Sequence, residues 1–203
     1  MSISFFDMEK PWGTWLRRLR GTATVVYIAA LCLAVALLVI AFIPGSPVTL
    51  ALTTTVLPGW DTLREVTPGV VADPAGTIGI RITDPSLPQR MLHLAATLPG
   101  LVLVAVIARR METMLRAAQD SDPFTELTAR ELTVIAKITA FGGAGVWAAT
   151  VVANWSLSTT ILAGAAVESQ VPLGWFAVAL ICAAFAQLVA HGVAMRSELD
   201  TFI

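Results

Sequence analysis

The sequence predicts an all-α membrane bundle of four transmembrane helices, with a small β-rich extracytoplasmic insertion between the first and the second. Four apolar stretches, at residues 23–43, 91–108, 138–155 and 173–195, are each about one bilayer crossing long and hold no Asp or Glu. A helix needs about 20 apolar residues to cross the hydrocarbon, where lipid offers nothing to an unsatisfied backbone amide. Segment 44–90 breaks from that composition, being rich in Thr, Pro, Gly and Asp with apolar residues in alternation. The cations are also unevenly placed. With the N-terminus inside, Lys10, Arg17, Arg18, Arg20, Arg109, Arg110, Arg116, Arg130, Lys137 and Arg196 are cytoplasmic and only Arg64, Arg81 and Arg90 lie outside, which puts both termini in the cytoplasm.

Residues 1–22 form a cytoplasmic segment in which Trp12, Trp15, Leu16 and Leu19 recur at helical spacing, the pattern of an interfacial amphipathic helix. The first crossing, 23–43, is too long for a signal-peptide core and ends on Phe42-Ile43-Pro44-Gly45, a poor cleavage site, so it is read as a retained anchor. In 44–90 the alternation at 48–53 and 78–83 reads as two strands, with Asp73-Pro74-Ala75-Gly76 as a turn between them. So small a β segment needs the helices or a partner to pack on. The second crossing, 91–108, carries Pro99-Gly100 near its middle, a kink signal, and is expected to run on into the cytoplasmic linker 109–137.

In that linker Glu112 and Arg116 stand at i, i+4, and Asp120-Ser121-Asp122-Pro123 stops the helix. Thr128-Ala129-Arg130-Glu131 has capping-box spacing and predicts the start of the helix that becomes the third crossing, 138–155. Lys137, close to that start, reads as a snorkelling anchor. An extracytoplasmic loop, 156–172, leads to the fourth crossing, 173–195, and a cytoplasmic tail, 196–203. Trp60, Trp155 and Trp175 fall near the outer boundary as belt residues, whereas Trp147 lies mid-helix.

Composition narrows the function. The chain is 203 residues long, 56% hydrophobic and of net charge −1, which leaves no room for a large soluble domain and no basic face for nucleic acid. No carboxylate lies in a crossing, where a proton relay or cation pathway would need one. No phosphate loop, His-Glu-x-x-His or Cys-x-x-Cys occurs, so no catalytic residue, metal or cofactor is assigned. Cys32 and Cys182 fall inside crossings and read as small packing residues. His93 and His191 are the only histidines. They lie at opposite ends of their helices, roughly 20–25 Å apart in depth, too far to share a haem iron.

Candidate packing residues remain. Gly142, Gly143, Gly145 and Ala149 make a small-residue patch on the third helix, and Ala179, Ala183, Ala186 and Ala190 make another on the fourth. Small side chains let helices approach closely; contact within the chain is favoured over contact with a different protein. Gln187 and His191 share a face of the fourth helix. An internal interhelical hydrogen bond is their expected use, with contact to a partner subunit, a lipid headgroup or a quinone as the alternative.

The linker motif Asp122-Pro123-Phe124-Thr125, followed by Thr128 and Leu132, resembles the Pro-Phe motif of a bacterial membrane-protein family, domain of unknown function 2975. The resemblance implies four crossings, an exported β-rich segment after the first and a short acidic-apolar tail after the fourth. Family members commonly have Asn where Thr128 stands, and more of them carry a basic cluster after the motif than the single Arg130 seen here. Many resemble partners of small helix-turn-helix regulators, which implies sequestration of a transcription factor at the membrane.

Two functional expectations result. The first is a non-catalytic accessory subunit that packs on and stabilises or modulates a larger complex, with other integral membrane subunits and lipids as partners. Arginine outnumbers lysine eleven to two, a GC-rich coding bias, and small four-helix proteins of GC-rich actinobacteria are similar to subunits decorating respiratory-chain supercomplexes. The second is a membrane-bound regulator holding a small soluble helix-turn-helix factor on its cytoplasmic linker and tail. A small transporter or immunity protein is a third reading. The expected location is the bacterial cytoplasmic membrane.

Overall fold

The computed structural model describes residues 11–53, 65–67, 70–71, 77–120, 125–160 and 171–201. It is mostly helical. Helices α1 (Pro11–Phe42), α2 (Leu87–Asp120), α3 (Glu126–Thr159) and α4 (Leu173–Thr201) are each long and apolar enough to cross a membrane. Between α1 and α2 lie β1 (Val48–Thr53), β2 (Glu65–Thr67), β3 (Val70–Val71) and β4 (Thr77–Ile82), with β1 antiparallel to β4 and β2 antiparallel to β3. The turn expected at 73–76 and the belt residue Trp60 lie outside the described residues.

The chain divides into two compact units. One comprises Leu33–Leu101 and Ala144–Pro172, the other Met1–Cys32, Val102–Gly143 and Leu173–Ile203.

In the unit holding the strands, β1 and β4 pair Val48 with Ile82 and Leu50 with Ile80. Strict alternation sends these four side chains to one face. Val48 and Leu50 are buried there against Leu157 of α3, which is fully buried, and Leu92 of α2 packs on the same cluster. The small sheet is thus covered on its apolar face by helix side chains. At the end of α1, Pro44 and Gly45 (φ +78°) occupy the middle of a turn in which the Ser46 amide donates to the Ile43 carbonyl at 3.4 Å. Proline followed by a positive-φ glycine is the type II pattern.

One half of a capping box opens α2: the Gln89 side chain reaches back to accept from the Ser86 amide at 2.9 Å, satisfying a donor that the helix leaves free. Helix α2 then continues through Pro99 without a break. Proline removes the donor that the carbonyl four residues earlier would use and weakens that turn. Next to it, the Ala96 carbonyl accepts from Thr150 Oγ1 of α3 at 2.9 Å, and a Cβ on Gly100 would stand 3.7 Å from Val146 Cγ1. Within this unit α2 meets α3 at the Pro99-Gly100 turn.

In the other unit two glycines mark closer contacts. A Cβ on Gly142 would meet Leu103 Cδ1 at 2.6 Å, and one on Gly143 would meet Trp175 Cβ at 2.6 Å and Cγ at 2.8 Å. The side chain that neither residue has is the space its neighbour occupies, so α3 packs against α2 at Gly142 and against α4 at Gly143. Ile135 and Thr139 of α3 are fully buried, the Thr139 hydroxyl donating to the Ile135 carbonyl of its own helix at 2.8 Å.

From Pro11 the N-terminal pattern is continuous with the first crossing as one 32-residue helix. Proline at the first helical position suits the start of α1.

Candidate functional site

The densest polar cluster among the described residues joins α1, α2 and α3. Glu112 of α2 is a buried carboxylate, 7% exposed. Its Oε2 accepts from Arg109 Nη1 at 2.6 Å, and its Oε1 lies 4.0 Å from Arg20 Nε of α1. Arg20 also donates through Nη1 to Gln119 Oε1 at 3.2 Å, and Arg109 sits over the Tyr27 ring at 5.6 Å from its centre. Two guanidiniums thus face one carboxylate and fix α1 to the second half of α2. On α2 as well, Arg110 donates to Glu131 Oε2 of α3 at 3.3 Å.

This arrangement corrects two expectations. Glu112 pairs with Arg109 and Arg20 rather than with Arg116. Residues at i−3 and i+4 are both neighbours on a helix surface, and the additional cation on α1 lies on the side of Arg109. The cap of α3 is likewise Thr125 rather than Thr128. Helix α3 starts at Glu126, and the Thr128 amide donates to Thr125 Oγ1 at 3.2 Å. Thr128 therefore sits in the first turn, its hydroxyl 3.0 Å from that of Thr125, and Glu131 is released from capping to meet Arg110. A cleft of about 170 Å³ lies beside this bridge, lined by Arg110, Met114, Ala117, Leu127, Thr128 and Glu131.

The remaining candidates fall in different settings. Asp122, Pro123 and Phe124 of the linker motif lie outside the described residues. Gly142 is a close-contact position, whereas Gly145 is exposed, with nothing within 4 Å of where a Cβ would be, and Ala149 is half-buried. On α4, Ala179 and Ala186 are buried, Ala183 is half-buried and Ala190 is exposed. Gln187 and His191 are exposed, and neither side chain has a hydrogen-bond partner among the described residues. Among those residues no group of three His, Cys, Asp or Glu is placed to hold a metal.

The family model described as Protein of unknown function (DUF2975) matches residues 76–203. The chain belongs to the DUF2975 family. That match takes in β4 and helices α2, α3 and α4 of this DUF2975 chain, so Arg109, Arg110, Glu112, Thr125, Thr128 and Glu131 all lie within it. Arg20 and Tyr27, which complete the cluster from α1, lie ahead of it. No curated protein and no solved structure matches the chain.

The sequence reading missed Arg20 as the partner of Glu112, because 92 residues separate them and no local rule connects them. It also missed the capping box at Ser86, although Ser86-Leu87-Pro88-Gln89 has the spacing that marks one.

Proposed function

We propose that this DUF2975 chain is a non-catalytic integral membrane subunit that packs on a larger membrane complex, with both termini on the cytoplasmic side of a bacterial plasma membrane. Gln187 carries the proposal. It lies in the apolar span Leu173–Arg196, nine residues and about 13 Å from the end of that span, near the middle of a hydrocarbon layer about 30 Å thick. There it is exposed without a partner.

Several hydroxyls in the helices are, by contrast, satisfied within the chain. The hydroxyls of Thr22, Thr24, Thr97 and Thr139 donate to carbonyls of their own helices, and Thr150 reaches across to Ala96. A carboxamide facing lipid loses its hydrogen bonds, a loss that a polar group on a neighbouring protein helix removes. Exposed Gly145 adds a second place where a foreign helix can approach closely. The concrete form of the proposal is an accessory subunit of an actinobacterial respiratory supercomplex, and the distribution of basic residues supports the orientation.

The test is site-specific photo-cross-linking in native membranes from a probe residue at position 187. Adducts to a different integral membrane protein are expected, absent when the probe is moved to the exposed position Val178 on the opposite face of α4. Adducts to lipid alone overturn the proposal.

A second reading is supported by the cleft beside the Arg110–Glu131 bridge. It adjoins the linker carrying the Pro-Phe motif, where a small soluble helix-turn-helix regulator would dock.

A further inference from the structure

A second cleft, of about 140 Å³, opens where the end of α1 meets the start of β1 and the first turns of α2. Its walls are apolar, formed by Leu37 and Ile40 of α1, Val48 of β1 and Leu94 of α2. Two nitrogen-bearing side chains line it as well, Arg90 and His93, three residues apart on one face of α2.

Arg90 is held rigidly. Its Nε donates to the Pro85 carbonyl at 3.0 Å and its Nη1 to the Ile43 carbonyl at 2.9 Å. Both acceptors are neutral, and among the described residues no carboxylate pairs with Arg90 and Nη2 has no partner. The half-buried His93 ring likewise has no hydrogen-bond partner there. A planar guanidinium with free donors, already oriented, matches the oxygens of a phosphate, and an imidazole N–H beside it adds a donor.

We propose that this cleft binds an anionic phospholipid, its headgroup phosphate on Arg90 and His93 and its first acyl carbons against Leu37 and Ile40. The depth fits. The apolar span of α1 ends at Phe42 and that of α2 begins at Leu87, so Arg90 and His93 lie at headgroup level with the apolar walls beneath them. A free phosphate has the same oxyanion chemistry but no use for walls of leucine and isoleucine. The lipid site does not depend on the chain having protein partners.

The experiment uses the full chain, extracted in mild detergent and exchanged into nanodiscs of equal phosphatidylglycerol and phosphatidylcholine. Lipids retained on release are counted by native mass spectrometry. The wild type is expected to keep phosphatidylglycerol over phosphatidylcholine. His93→Leu is expected to lower that retention about tenfold, the effect of one hydrogen bond to a charged group. Ala41→Phe, which narrows the cleft while leaving Arg90 and His93 in place, is expected to lower it as well. Excess inorganic phosphate is expected to leave the bound lipid in place. Equal retention of the two lipids by the wild type overturns the proposal without reference to any variant. So does full displacement by inorganic phosphate, or retention unchanged in both variants.

Discussion

Replacing Gly143 with alanine places a methyl group 2.6 Å from Trp175 Cβ and 2.8 Å from its Cγ, roughly 1 Å inside ordinary carbon–carbon contact. The Trp175 Cβ is fixed by the α4 backbone, so no rotamer of the indole removes the overlap and α3 and α4 must separate. Overpacking of this kind costs about 1–3 kcal/mol. The substitution also raises helix propensity by about 1 kcal/mol, which hides part of the loss. Gly145→Ala supplies the control: it has the same propensity gain on the same helix, two residues on, with nothing within 4 Å of the new methyl. The difference between the two variants therefore isolates the clash. At about 2–4 °C per kcal/mol for a chain of this size, Gly143→Ala is expected to melt roughly 2–12 °C below Gly145→Ala in the same detergent. Thermal unfolding followed by tryptophan fluorescence reads this directly. Equal midpoints, or a higher one for Gly143→Ala, would refute the close approach of α3 to α4 at this glycine.

Three further substitutions probe the polar contacts. Glu112→Ala leaves Arg20 and Arg109 without their carboxylate and is expected to cost about 1–3 kcal/mol, the arginines' own exposure reducing the full penalty of a broken buried pair; Glu131→Ala, at the more exposed Arg110 bridge, should cost under about 1 kcal/mol. Urea or thermal midpoints compared between the two variants check the ranking. Thr125→Ala is expected to lose about 1 kcal/mol with the cap of α3, and Thr128→Ala less, which the same melts distinguish. Thr150→Val removes the bond to the Ala96 carbonyl and should cost about 0.6–1 kcal/mol, with faster amide exchange around Pro99 by hydrogen-exchange mass spectrometry.

Much of the architecture was legible because it rests on local patterns. Alternation in Val48-Thr49-Leu50-Ala51-Leu52-Thr53 identified β1, and the second alternating run located β4 to within a residue. The run of α2 past residue 108 was likewise readable, since nothing before Asp120 interrupts it. The start of α3 was less so. Thr128 with Glu131 and Thr125 with Thr128 both fit a cap, and the choice between them depends on Arg110, on a different helix, claiming Glu131.

The same holds for Glu112, whose second cation comes from α1, and for the small-residue patch. Among the neighbouring glycines 142, 143 and 145, only the positions of Leu103 and Trp175 decide which are contacts. The strands β2 and β3 flank Pro68-Gly69, a turn dipeptide that the reading passed over.

Purification of the intact chain by a mild tag from native membranes, with the eluate quantified by mass spectrometry, tests the subunit reading most directly. The account predicts one or more other integral membrane proteins in fixed stoichiometry with the chain, reduced when Gln187 is replaced by leucine. Recovery of the chain alone, or only with a soluble DNA-binding protein, would contradict it.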